Sequence, residues 1–145
     1  MANPTAAMLV IGDEILSGRT HDSNTHHLAG LLTAHWIDLR EARVVADEKA
    51  AIVAAAQALS AAYTHVFTSG GIGPTHDDIT ADCVAEAFGV SIDVREDARQ
   101  ALMKNYPEGE AALTPARLRM ARIPEAVSYT HLRAHETILP ISYAV

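Results

Sequence analysis

Strand-like runs alternate with helical ones along this chain, and that alternation constrains its fold more than any other feature. AAMLVIG (6–12) is a continuous apolar run ending in glycine and predicts a buried strand. IDLREARVV (37–45) alternates apolar with polar residues, the pattern of a strand at a sheet margin. THVFTS (64–69) predicts a third strand. Helical runs follow each of them. DSNTHHLAGLLTAHW carries Leu28, Leu31 and Leu32 at helical spacing, behind Asp22 or Ser23 as N-cap. EKAAIVAAAQALSAA follows Asp47, a residue type suited to capping. TADCVAEAF runs up to Gly89, a glycine where a helix C-terminus wants one. Beyond it, VSIDV is extended and REDARQALMKNY helical. TPARLRMAR then starts a helix with Thr114 as cap and Pro115 at its first position. Strand–helix alternation of this kind folds as a mostly parallel sheet with helices on both faces, a three-layer α/β/α arrangement. With 145 residues, the chain amounts to one domain.

Parallel α/β sheets hold ligands at the carboxyl ends of their strands. Three loops leave strand ends here, at Gly12–Arg19, Ala46–Asp47 and Ser69–Asp78, and all three belong on one side of the sheet. The third, TSGGIGPTHDDIT (68–80), crowds three glycines next to a pair of aspartates. Glycines let backbone N–H groups close on an anion, and the next helix adds partial positive charge at its N-terminus. Ser69, Gly70, Gly71 and Gly73 form the candidate phosphate cradle, and Thr75 and Thr80 offer hydroxyls. The pattern is neither a Walker A loop nor a dinucleotide fingerprint, since no GxxxxGK[ST] occurs and His76 stands where a third fingerprint glycine belongs. Asp77 and Asp78 would repel phosphate unless a cation lies between, which points to Mg²⁺ or another divalent metal. Against this stands the plainer reading of Asp78 as an N-cap for the helix at 79–88, with the glycines as a tight turn. In the first loop, Asp13 and Glu14 either face the same crevice or form a solvated turn. Asp47 reads on its own as an N-cap.

Charge and cysteine content narrow the function classes. A net charge of -7 argues against the basic face that sequence-independent nucleic-acid binding requires. Any anion must be held locally. The single cysteine, Cys83, excludes an intrachain disulfide and, set among Val84 and Phe88, reads as a buried structural thiol. The N-terminal apolar run is too short for a membrane span and lacks a basic flank, so a cytoplasmic protein without membrane association is expected. Among eight histidines, His21, His26 and His27 face different sides of a helix and read as surface residues, whereas His76 sits inside the loop. No GxSxG elbow occurs.

VIGDEILSGRTHDSN, VVADEKAAI and FTSGGIGPTHDDITAD, in that order and register, resemble the molybdopterin-binding (MoaB/Mog-like) domain family over roughly residues 7–127. The combination of GGxGPTxDDxT with GDEILSG is most similar to its CinA-like branch, the N-terminal domain of competence/damage-inducible proteins. The resemblance implies the MoaB/Mog-like three-layer fold, often trimeric, and a ligand that is a phosphorylated nucleotide or molybdopterin. It implies a homo-oligomer, trimer or dimer. It also implies working aspartates at Asp47 and Asp78, phosphate-holding glycines at Gly70, Gly71 and Gly73, and a divalent metal at Asp78, Asp77 and Asp47. In the CinA-like branch the implied activity is hydrolysis of the pyrophosphate in ADP-ribose-type nucleotides. In the molybdenum-cofactor branch it is adenylylation of molybdopterin. A third reading is a binding or assembly domain without turnover.

The end of the chain departs from this pattern. After RIPEAV, the segment SYTHLRAHETILPISYAV (128–145) matches nothing in the family and looks like translated adapter sequence. The expected organisation is a family domain at 1–127, incomplete at its C-terminus, and an unrelated tail at 128–145 that packs poorly, with loss of activity through truncation as part of the same expectation. His131 and His135 carry no metal reading.

Overall fold

The computed structural model describes residues 2–125 and, as backbone alone, 128–129 and 143–144. Its first half is the expected alternation: β1 (Thr5–Ile11), the short α1 (Asp13–Leu16), α2 (Asn24–Ala34), β2 (Asp38–Val45), α3 (Lys49–Ala62), β3 (His65–Ser69) and α4 (Thr80–Phe88). β1 lies between the other two strands in the order β2-β1-β3, and both pairings are parallel. A register shift between Ala6 and Ala7 interrupts the β1–β2 ladder.

The central strand is buried on both faces, which its unbroken apolar run requires. Ala6, Met8 and Val10 point to one side and pack with Leu28 and Leu32 of α2. Ala7, Leu9 and Ile11 point to the other and pack with Ile52, Ala55, Ala56 and Leu59 of α3 and with Cys83 and Ala87 of α4. Strand alternation thus sorts one heptapeptide into two cores and three layers. Small alanines let α3 and α4 approach the sheet closely. β2 alternates half-buried and exposed residues, as expected of a margin strand. Leu31, expected on the inner face of α2, is instead exposed.

The second half builds a separate subunit of core. β4 (Ile92–Val94), α5 (Glu96–Met103), α6 (Pro115–Leu118) and β5 (Arg122–Pro124) follow, with 3₁₀ turns at Gly109–Ala112 and Arg119–Ala121. Thr114 caps α6 by accepting the Arg117 N–H, with Pro115 at the first position as the sequence indicates. β4 and β5 pair antiparallel, outside the parallel sheet. Ala98, Leu102, Met120, Ala121 and Ile123 form its core, and Ile72 from the glycine loop packs against it. The expectations for residues 128–145 fall mostly outside the described residues. Of that stretch, Ser128–Tyr129 and Tyr143–Ala144 pair with each other as β6 and β7 in an antiparallel ladder of their own. No helix among the described residues is long and apolar enough to cross a membrane.

Candidate functional site

Because β1, β2 and β3 run parallel, the loops leaving their carboxyl ends emerge on one side, as the loop order requires. Two of them are clasped by aspartates. The Asp13 N–H donates to Asp47 Oδ2 at 3.0 Å, and the Asp47 N–H donates back to Asp13 Oδ1 at 3.2 Å. Gly12 N–H adds a bond to the Val45 carbonyl at 3.1 Å. Asp47 therefore does not cap α3. Its N-cap is Glu48, with no side-chain cap bond, because the Asp47 carboxylate has turned toward the neighbouring loop. Glu14 folds back over Gly12, where an added Cβ would lie 2.7 Å from its carboxylate.

The glycine loop is shaped by positive φ and by one threonine. Gly70 and Gly71 have φ of 94° and 64°, a region open to glycine and costly for other residues. A Cβ at Gly70 would collide with the Ile11 carbonyl oxygen, and one at Gly71 with the Thr80 hydroxyl. Thr80 is fully buried, its hydroxyl donates to the Gly70 carbonyl at 2.8 Å, and its N–H donates to the Gly71 carbonyl at 3.1 Å. That proton was expected to serve a ligand. In the structure it braces the loop, because the first residue of α4 lies directly beneath it. Asp78 does not cap α4 either, whose N-cap is Ile79. Asp78 Oδ2 instead accepts both the N–H and the hydroxyl of Thr75, at 2.9 and 2.6 Å. The loop thus folds back on itself between Gly73 and Asp78. Asp77 points elsewhere: it pairs with His76 at 2.6 Å, and both side chains are exposed.

Ser69 is buried at the end of β3 and accepts a 2.7 Å bond from Asn24 Nδ2 at the start of α2. Asn24 Oδ1 is buried without a hydrogen-bond partner among the described residues. Sequence reasoning missed Asn24; its only signal was a polar amide beside the Asp22–Ser23 cap. Ser23 holds the N-cap position of α2 without a side-chain bond, and the preceding Asp22 satisfies the first turn instead, accepting the N–H groups of Asn24 and Thr25. His21, His26 and His27 are exposed, as expected.

A cleft opens beside the loop, lined by Gly71, Ile72, Gly73, Asp78, Ala81, Asp82, Arg119, Met120 and Arg122. Its far wall comes from the second half of the chain. Arg122 clamps Asp82 of α4 with two bonds, at 2.8 and 3.1 Å. Arg119 Nε is buried without a hydrogen-bond partner among the described residues. Sequence reasoning named neither arginine, and the helix expected from Thr114 onward ends at Leu118: Arg119 opens a 3₁₀ turn and Arg122 begins β5.

Among the described residues, no three His, Cys, Asp or Glu side chains converge on one point. Asp47, Asp77 and Asp78 thus form no closed protein cage for a metal. Asp47 and Asp78 each keep one carboxylate oxygen that takes no hydrogen bond among the described residues. Each offers the hard oxygen that Mg²⁺ takes, one or two carboxylates at a time with water and phosphate oxygens filling its shell, and of the two only Asp78 lines the cleft. Cys83 is buried, and burial pushes its thiol up, away from nucleophilic reactivity.

A family model described as "Probable molybdopterin binding domain" matches residues 7–138, running past residue 127. The curated "Probable FAD synthase" of Caenorhabditis elegans is 44% identical over 103 residues, 71% of this chain and 20% of that protein. Protein Ta0487 of Thermoplasma acidophilum is 39% identical over 119 residues, 82% of this chain and 46% of that protein. The chain thus spans about half or less of these relatives' length. Among solved structures, "CinA with unknown function" from Thermoplasma acidophilum superposes with a TM-score of 0.76 at 35% identity, covering 86% of this chain and 73% of that one. The "tungsten cofactor synthesizing protein MoaB" from Pyrococcus furiosus, at 19% identity, gives 0.58 over 77% of this chain and 68% of that one, a likeness of fold alone.

Proposed function

This chain belongs to the molybdopterin-binding domain family, within which it is similar to CinA, and from that premise we propose that it binds a phosphorylated nucleotide or pterin and hydrolyses a nucleotide pyrophosphate of the ADP-ribose type. The observation that carries this reading is the loop at Gly70–Asp78. A positive-φ glycine turn is braced from below by Thr80, and a carboxylate is folded back beside it. Such a loop presents backbone N–H groups to one phosphate. The carboxylates of Asp78 and Asp47 stand by for the cation that phosphate chemistry needs.

In the reaction, a water oxygen forms a bond to one phosphorus of the bridge, and the bond from that phosphorus to the bridging oxygen breaks. Two phosphate monoesters leave, and the water's protons pass to them or to solvent. A divalent cation, when bound, supplies charge neutralisation on the phosphate oxygens. Gly71 and Gly73 hold the anion, and Thr75 keeps Asp78 oriented through its two bonds. Asp47 is held in place by the Asp13 N–H, leaving its other oxygen to orient the water. FAD, in the name of the Caenorhabditis elegans relative, itself contains a pyrophosphate bridge.

A second reading, adenylylation of molybdopterin, is favoured by the fold likeness to proteins named for molybdenum or tungsten cofactor synthesis. Both chemistries act on a phosphoanhydride. Incubation with ADP-ribose and Mg²⁺, followed by chromatography for AMP, separates them: AMP release supports hydrolysis. Transfer of AMP to molybdopterin without ADP-ribose cleavage would favour the second reading. Binding of either ligand with no turnover would leave a binding domain. A homo-oligomer, trimer or dimer, is part of the same proposal and is read by light scattering.

A further inference from the structure

Four charged side chains line the cleft, and three of them are accounted for. Asp82 and Arg122 neutralise each other in a two-bond clamp. Asp78 is held by Thr75. Arg119 alone has no hydrogen bond or ion pair among the described residues, and its Nε is buried without a partner. A buried guanidinium N–H with no acceptor costs free energy, because water has been removed and nothing replaces it. Such a group stays in place when something else supplies the acceptor.

Arg119 is also positioned for this. It opens the 3₁₀ turn Arg119–Ala121, whose Met120 and Ala121 are anchored in the core of the chain's second half. The same core takes Ile72, the residue between Gly71 and Gly73. Loop and arginine are therefore packed against one apolar cluster, and the Arg122–Asp82 clamp ties the arginine-bearing wall to α4. The wall and the cradle thus line one cleft and share one apolar cluster.

We propose that Arg119 is the specificity-determining residue of this cleft, pairing its guanidinium with the oxygens of a ligand phosphate seated on Gly71–Gly73. The inference rests on the phosphate-binding reading of the loop and adds the group that selects for the anion. A planar guanidinium matches two phosphate oxygens at once, which an ammonium cannot do. The ligand class is accordingly a phosphate ester or anhydride rather than an uncharged pterin or nucleoside. The Arg122–Asp82 pair, being internally neutral, is a positioning element for the wall.

The test measures binding of ADP-ribose and of inorganic pyrophosphate to the full chain by calorimetry, at two salt concentrations, with adenosine as the uncharged comparison. The wild-type chain is expected to bind both phosphate ligands and to bind adenosine weakly or not at all. Arg119→Gln is expected to weaken phosphate binding by about tenfold or more and to flatten its salt dependence. Arg119→Lys, which keeps charge and stem and so guards against a folding defect, is expected to retain the salt dependence while binding more weakly than the wild type. Equal affinity and salt dependence in wild type and both variants would overturn this inference and leave the phosphate reading standing. Failure of the wild-type chain to bind either phosphate ligand would overturn the reading and the inference together.

Discussion

Gly70 and Gly89 both adopt left-handed backbone, yet they do different work. Gly89 ends α4 with φ of 62° and open space where a Cβ would go, so Gly89→Ala meets only backbone strain, about 1 kcal/mol. At Gly70 the strain is joined by a collision with the Ile11 carbonyl of the central strand. Gly70→Ala is therefore expected to lower the denaturation midpoint more than Gly89→Ala and, unlike it, to abolish ligand binding. Equal effects of the two in urea titrations would show that the loop tolerates displacement. Asp78 is the residue on which the hydrolytic reading turns. Asp78→Asn keeps the Thr75 bonds nearly intact, since an amide oxygen accepts as a carboxylate does. Turnover of ADP-ribose is expected to fall by about a hundredfold or more while binding persists. Unchanged turnover would remove Asp78 from the mechanism. The glycine and aspartate positions were legible from sequence, because a strand end, positive-φ residues and clustered charge leave few alternatives. Their hydrogen-bond partners were not: both Asp47 and Asp78 read as helix caps, and neither caps a helix.

α4 is the element that couples the core to the loop. Its first residue, Thr80, is buried and holds the Gly70 carbonyl, and its inner face carries Cys83, Val84 and Ala87 into the core. Thr80→Val keeps the shape but leaves that carbonyl without its donor, and is expected to cost about 1–3 kcal/mol in thermal or urea unfolding. Cys83 gives an independent reading of the same packing. Burial raises its thiol, so alkylation by iodoacetamide at neutral pH is expected to be slow in the native protein and fast in denaturant. Rapid native labelling would mean that α4 lifts from the sheet. Helix type and order were legible here from apolar spacing and from Gly89 as a stop signal. The brace between Thr80 and Gly70 was not, since it depends on how steeply the chain turns after β3.

At the scale of the whole molecule, the glycine loop with α4 and the second half of the chain meet at one cleft, and distant pairs hold its parts. On the sheet margin, Glu41 accepts from Arg43 and from the Tyr63 hydroxyl, the latter at 2.8 Å. The Arg43 guanidinium and then the Tyr63 hydroxyl hold the Glu41 carboxyl below its ordinary value. A depressed carboxylate stabilises fully above that ordinary value, and its contribution is lost as pH falls through the lowered one. Glu41→Gln is thus expected to flatten the fall in stability with acid below the ordinary glutamate range, measured as thermal midpoints against pH, and to change little at neutral pH. What sequence alone determined was the layered parallel fold, the sidedness of the three loops and the glycine–aspartate loop at the end of β3. These follow from local patterns: apolar periodicity, turn residues and the rule that parallel strands point their ends one way. What only tertiary structure decided was the rest of the site. Arg122 meets Asp82 across 40 positions and Asn24 meets Ser69 across 45, while Arg119 faces the loop only because Met120 and Ile72 share a core. No local pattern encodes such meetings, because each depends on where two separately packed units come to rest against each other.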